Sequence, residues 1–128
     1  MMQVLMHIAE RLKDLHASGW VHRDIKPGNI MWLPRQKRWT LIDFGCAARN
    51  GEQAVLGFTK SYAAPEVIQA CRDGARSMQV SEALDAWSVG VLAIELFTGS
   101  PLFHPHTPPE QVCASFFQGI LLQQLFDA

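Results

Sequence analysis

The sequence predicts an α+β fold that is mainly helical and carries one small β-hairpin. Three observations lead there: an amphipathic run over residues 2 to 18, two short apolar runs around a basic turn, and a mostly apolar run over residues 81 to 98. At 128 residues the chain holds one domain at most, long enough for a modest core. Apolar content of 48% with 18% charge places it among ordinary globular chains and excludes a disordered one.

In the first run, Val4, Leu5, Ile8, Leu12 and Leu15 recur at three- and four-residue spacing, with Glu10, Arg11, Lys13 and Asp14 opposite. Gly19 stands where a helix C-cap is expected. The runs Asn29 to Leu33 and Trp39 to Phe44 flank "PRQKR", where Pro34 and a basic tip predict a hairpin. Gly45 to Thr59 shows no period and is expected to be a long surface loop. The run "EALDAWSVGVLAIELFTG" is apolar around most of its circumference and predicts a buried helix ended by Gly99. A Pro-rich stretch follows, and Pro108 or Pro109 is suited to open a further helix through Phe126.

The net charge of −1 conceals an asymmetry, because all eleven Lys and Arg lie at or before Arg76 against seven acids there. That balance is too mild to argue for nucleic acid. Three cysteines (Cys46, Cys71, Cys113) form no C-x-x-C pair, the pattern of a reduced intracellular protein without a disulfide frame or zinc site. The apolar runs are too short or too interrupted to span a bilayer, and no signal or transit peptide is read at the N-terminus. The expectation is therefore a cytoplasmic protein with no membrane partner.

The chemistry lies in "WVHRDIKPGNIMW", which packs His22, Arg23, Asp24, Lys26 and Asn29 between apolar shoulders. If the hairpin forms, Asn29 precedes its first strand and Asp43 follows its second, so antiparallel pairing brings both to the open end. An Asn carbonyl and an Asp carboxylate converging there are hard oxygen ligands suited to Mg²⁺ shared with phosphate. Asp24 upstream can accept a proton or orient a hydroxyl, and Lys26 can neutralise a transferring phosphoryl group. The pattern proposes metal-assisted phosphoryl transfer. The plainer alternative, turn and cap residues, accounts for each Asn or Asp singly but not for the set.

"HRDIKPGN", then "DFG" (Asp43, Phe44, Gly45), "APE" (Ala64 to Glu66) and "DAWSVG" (Asp85 to Gly90), taken in this order, resemble the C-terminal lobe of a eukaryotic protein kinase as far as about Phe103. The resemblance implies that residues 1–128 are part of a kinase domain, a protein-kinase-like large lobe whose hairpin carries the catalytic and DFG segments, with the smaller lobe and the final helices absent. It implies Asp24 as the catalytic base, Lys26 steadying the γ-phosphate of ATP, Asn29 holding one Mg²⁺ and Asp43 holding both. Met31 would floor the adenine pocket, and His22 and Phe44 would stack in the column beneath. Asp85 would accept the backbone amides of the His22–Arg23 turn.

Lys26–Pro27 and Thr59, three residues before Tyr62 in the substrate-facing "TKSYAAPE", resemble the serine/threonine class, whose threonine bonds the catalytic Asp and Lys. A protein substrate follows from that likeness. Glu66 would be partly buried and left without the Arg that usually closes on it, and a loop insertion is expected between Glu66 and Asp85. In many kinases the arginine matching Arg23 binds a loop phosphate. Residues 45–58 hold no Ser, Thr or Tyr, so constitutive ordering is expected, with Glu52 near Arg23. Cys46 is read as a packing residue, and His104 and His106 as loop histidines. The stretch "FFQGILLQQLF" near the end is expected to be exposed and open to a partner. The sequence contains no glycine-rich loop and no "VAIK"-like strand, so weak nucleotide binding and little transfer are expected of this chain by itself. The alternative from another class is a catalytically inactive truncated lobe that binds proteins.

Overall fold

The structure is a computed structural model in which residues 2–57 and 59–99 are described. The helix beginning at Pro108 or Pro109, His104, His106 and the "FFQGILLQQLF" stretch lie outside these residues. Among the described residues three helices and three two-stranded antiparallel sheets alternate along the chain, so the fold is α+β.

Helix α1 spans Met2–Ala17 and buries Ile8 and Leu12, the centre of its predicted stripe. Gly19 follows with φ 91°, a left-handed turn that releases the chain into β1, Trp20–Val21. The hairpin forms as expected from β2 (Ile30–Leu33) and β3 (Arg38–Leu41), in register Ile30 to Leu41 and Trp32 to Trp39. Lys37, at φ 51°, turns the loop between them. Trp32 and Trp39 face each other across the ladder at 5.4 Å and 59°, a cross-strand aromatic pair that fixes register. The apolar shoulders of the polar cluster are nonetheless not all buried: Trp20, Met31 and Trp32 are exposed. Trp20 lies instead beneath the Arg49 guanidinium at 4.9 Å.

The stretch expected to be an unstructured loop contains β4 (Ala48–Arg49), paired with β1, and β5 (Gln53–Val55), paired with β6 (Ser77–Gln79). Strands of two and three residues are too short for an alternation to register. The expected insertion likewise contains helix α2, Pro65–Arg72, with Pro at its first position, and then β6. Glu66 sits exposed in the first turn of α2, where the helix dipole favours an acid, so the expected burial cost is not incurred.

Helix α3, Glu82–Thr98, begins after Ser81 and ends on Gly99 at φ 75°, whose N–H returns to Glu95 O at 2.8 Å. It is not buried all round. Leu84, Asp85, Ser88, Val91, Leu92 and Ile94 face inward, while Ala83, Ala86, Gly90 and Phe97 are exposed. The small residues on that outer side account for the weak periodicity. Helix α3 joins two apolar clusters. Leu92 packs with Ile8, Leu12, Ile25 and Leu41; Leu84 packs with Ala63, Ala64, Val67 and Ile68. Each buried Leu, Ile or Val among these contributes about 1.5–3 kcal/mol. Among the described residues no helix is long and apolar enough to cross a membrane.

Candidate active site

The polar cluster is held from below by one carboxylate. Asp85, fully buried in the first turn of α3, accepts the His22 N–H and the Arg23 N–H, each at 2.9 Å. A third donor, His16 Nε2, reaches the same carboxylate at 2.8 Å. Three donors offset the desolvation of the buried charge. The turn needs that support, because Arg23 sits at φ 73°, a region a long side chain rarely adopts. His16 was missed in the sequence. Its signal was its place at four-residue spacing after Ile8 and Leu12, a polar residue on the buried stripe that calls for a buried partner.

His22 is wholly buried and its ring is fixed at both nitrogens. Nδ1 accepts the Asp24 N–H at 3.1 Å, so the ring proton lies on Nε2, which donates to Ile42 O at 2.9 Å. Phe44 meets this ring edge-on at 5.1 Å. Thus His22 ties the loop after β1 to the residues after β3.

After the left-handed turn at Arg23 the chain is extended at Lys26, with φ −158°. Successive side chains therefore point to opposite sides. Ile25, fully buried, enters the core, and Asp24 and Lys26 emerge together on the other side. Lys26 Nζ lies 3.8 Å from Asp24 Oδ2. Thr59 joins them: its hydroxyl accepts from Lys26 Nζ at 3.0 Å and donates to Asp24 Oδ1 at 2.9 Å. A tight turn, Pro27–Asn29, then brings Asn29 back beneath Asp24. The Asn29 amide donates to Asp24 O at 2.7 Å and to Asp24 Oδ2 at 3.1 Å. Its side-chain nitrogen being committed, the side-chain oxygen of Asn29, Oδ1, is the atom left for a cation.

Asp43 follows β3 at φ 57°, a left-handed conformation that Asp tolerates. Ile42 N–H donates to Asn29 O at 2.9 Å, which fastens the two ends of the hairpin together. One Asp43 oxygen accepts the Gly45 N–H at 3.2 Å, and the carboxylate is exposed. A Cβ at Gly45 would come within 3.1 Å of that oxygen, so any larger residue there would push the Asp43 carboxylate aside by a few tenths of an ångström. Among the described residues no three His, Cys, Asp or Glu side chains form a metal cage. One amide oxygen and one exposed carboxylate instead suit Mg²⁺, which keeps waters and takes phosphate oxygens for its other positions. Met31 stands 45% exposed on β2, beside this open end.

Arg23 does not face Glu52, which is exposed on the turn between β4 and β5. Its guanidinium donates instead to Cys46 O at 3.1 Å and to Val55 O. Backbone carbonyls that the turn brings within reach take the place predicted for a carboxylate. Cys46 is half-buried and packs toward Gly57, where a Cβ would meet its sulfur at 3.6 Å. Tyr62 ends a short turn, Lys60–Tyr62, and donates its hydroxyl to the Glu95 carboxylate of α3. Burial, and then the adjacent carboxylate, push its pKa well above the usual tyrosine value. Ser88 Oγ donates to Tyr62 O at 2.6 Å.

The geometry unites Asp24, Lys26, Asn29 and Thr59 in one hydrogen-bonded group, with Asp43 fastened alongside, on a helix-supported hairpin. The family described as "Protein kinase domain" matches residues 1–126, and the chain belongs to that family. Among curated proteins it is 39% identical over 102 residues to mouse (Mus musculus) "Serine/threonine-protein kinase Kist", covering 76% of this chain and 24% of that protein. It is 37% identical over 103 residues to zebrafish (Danio rerio) "Mitogen-activated protein kinase 12", covering 79% of this chain and 26% of that protein. Human (Homo sapiens) "Mitogen-activated protein kinase 13" is 38% identical over 94 residues, 72% of this chain and 24% of that protein. The chain thus spans about a quarter of the length of these relatives.

Proposed function

We propose that these residues are the catalytic half of a serine/threonine protein kinase, a large lobe that directs transfer of the ATP γ-phosphoryl group to a protein hydroxyl. The observation that carries this reading is the Asp24–Thr59–Lys26 bridge, 2.9 and 3.0 Å on its two sides, with Asn29 beneath. Asp24, whose two carboxylate oxygens accept from Thr59 and Asn29, would orient an incoming hydroxyl and take its proton. Lys26, with Nζ 3.8 Å from Asp24 Oδ2, is placed to meet negative charge on the group being transferred. Thr59 sets the distance between them, so the pair is organised before substrate arrives. Asn29 and Asp43 are the residues that would hold Mg²⁺, which when bound neutralises phosphate charge. Met31, exposed beside them, is the surface on which an adenine ring would rest. The relatives' names support the serine/threonine class, as do Lys26–Pro27 and Thr59.

A chimera tests this reading. Residues 2–99 replace the matching segment of the mouse Kist kinase, and Mg²⁺-ATP-dependent labelling of serine and threonine peptides is measured. Transfer is expected, with Asp24→Asn reducing it about 10²–10⁴-fold and Thr59→Val reducing it less. A folded chimera that binds substrate proteins but transfers no phosphate even with Asp24 intact would support the inactive, protein-binding lobe instead.

A further inference from the structure

Residues 46–56 carry no hydroxyl for a phosphate to modify, yet they are tied down along their whole length. Arg23 staples Cys46 O and Val55 O together from one guanidinium, closing a loop of backbone between them. Asn50 N–H reaches Gly19 O at 2.9 Å, Gly51 N–H reaches Val80 O at 2.8 Å, and Leu56 N–H reaches Arg76 O at 3.0 Å. Between the last two, β5 pairs with β6 through Gln53 to Gln79, Ala54 to Met78 and Val55 to Ser77. The segment after α2 therefore serves as the second strand for this loop.

The nearest hydroxyls beyond it are engaged. Thr59 is bonded to Asp24 and Lys26, Tyr62 to Glu95, and Ser61 is buried at 8% exposure. Two of the five N–H donors of Arg23, one on each terminal nitrogen, already point at carbonyls, so the fork is oriented by backbone without a phosphate.

We propose that the segment from Cys46 to Leu56 is locked in its ordered form by the Arg23 clamp and the β5–β6 ribbon, with no phosphoryl group on it. As regulation, this rests on the kinase reading above; as a statement about order, it does not. An enzyme built this way needs no upstream kinase to order that segment, and its control must act elsewhere.

Amide hydrogen exchange on the chain purified from bacteria, shown by mass to carry no phosphate, tests the lock without ATP or substrate. Gly51 and Leu56 are expected to exchange slowly, at rates unchanged by added inorganic phosphate. Arg23→Ala is expected to speed exchange across residues 46–56 about tenfold while α1 amides keep their rates. Ala54 lies between the paired residues at Glu52–Val80 and Leu56–Arg76, so ladder alternation makes it a donor to β6. Ala54→Pro removes that donor and is the second variant should Arg23→Ala lose α1 protection. Fast exchange in the unphosphorylated chain, protection gained only with phosphate, or wild-type rates in both variants overturns the proposal. A chimera inactive in transfer leaves these rates as expected, so the two readings fail separately.

Discussion

The loop from Val21 to Asn29 and the segment from Cys46 to Leu56 lie side by side and are held in opposite ways. The first hangs on a few side chains: Asp85 under two amides, His22 between Asp24 N and Ile42 O, Ile25 in the core, Asn29 under Asp24. The second hangs on backbone bonds to β1, β6 and Gly19, and on one arginine that contacts carbonyls only. The first arrangement places atoms accurately and fails when one partner is lost. The second spreads the load over backbone bonds and tolerates change in its own side chains. The proposed transfer site would need the accuracy, and a segment that must only stay in place needs the redundancy.

The comparison breaks most visibly at Asp85. Asp85→Ala removes an acceptor from three donors in a dry site and leaves the Arg23 left-handed turn unsupported. A loss of about 3–5 kcal/mol is expected, the usual result of removing one partner from a buried charged group. Urea unfolding of the chain measures it, and a loss below about 1 kcal/mol would show that the loop does not depend on this carboxylate.

Beyond the second region, Tyr62 is held by side chains again, through Glu95 and Ser88 of α3. With its pKa raised in the folded chain, Tyr62 binds its proton more tightly folded than unfolded. The stability this contributes is complete below the ordinary tyrosine value near 10 and is lost progressively as the pH rises above it. Tyr62→Phe is therefore expected to flatten the alkaline fall in melting temperature above about pH 10. An identical alkaline limb in the variant would remove Tyr62 from the account.

The same contrast explains what was legible in the sequence. Asp24, Lys26, Asn29 and Asp43 carry side-chain chemistry that residue type marks as a candidate site, whereas Thr59 and Asp85 are expected only through the kinase resemblance. Helices α1 and α3 and the β2–β3 hairpin are long enough for their periods to show. Strands β4, β5 and β6 are two or three residues long and made by backbone, which any sequence carries, so no alternation announces them. The partner of Arg23 was misread for the same reason. A carboxylate at Glu52 is visible in the sequence, whereas the carbonyls of Cys46 and Val55 become acceptors only once the turn folds.

Val55 gives the smallest and sharpest comparison. Its side chain is 76% exposed, yet its carbonyl accepts from Arg23 and its backbone lies on the β5–β6 ladder. If the segment is held by backbone, Val55→Ala changes nothing that holds it, and stability should stay within about 0.5 kcal/mol of wild type. The Leu56 amide should keep its exchange rate too, because its acceptor, Arg76 O, is untouched. A large loss at either readout would mean that the Val55 side chain packs where the structure shows it facing solvent. Together with Asp85→Ala, the variant separates the two ways of holding a chain: one substitution of a buried side chain unseats a loop, and one substitution beside a clamped carbonyl leaves its neighbour in place.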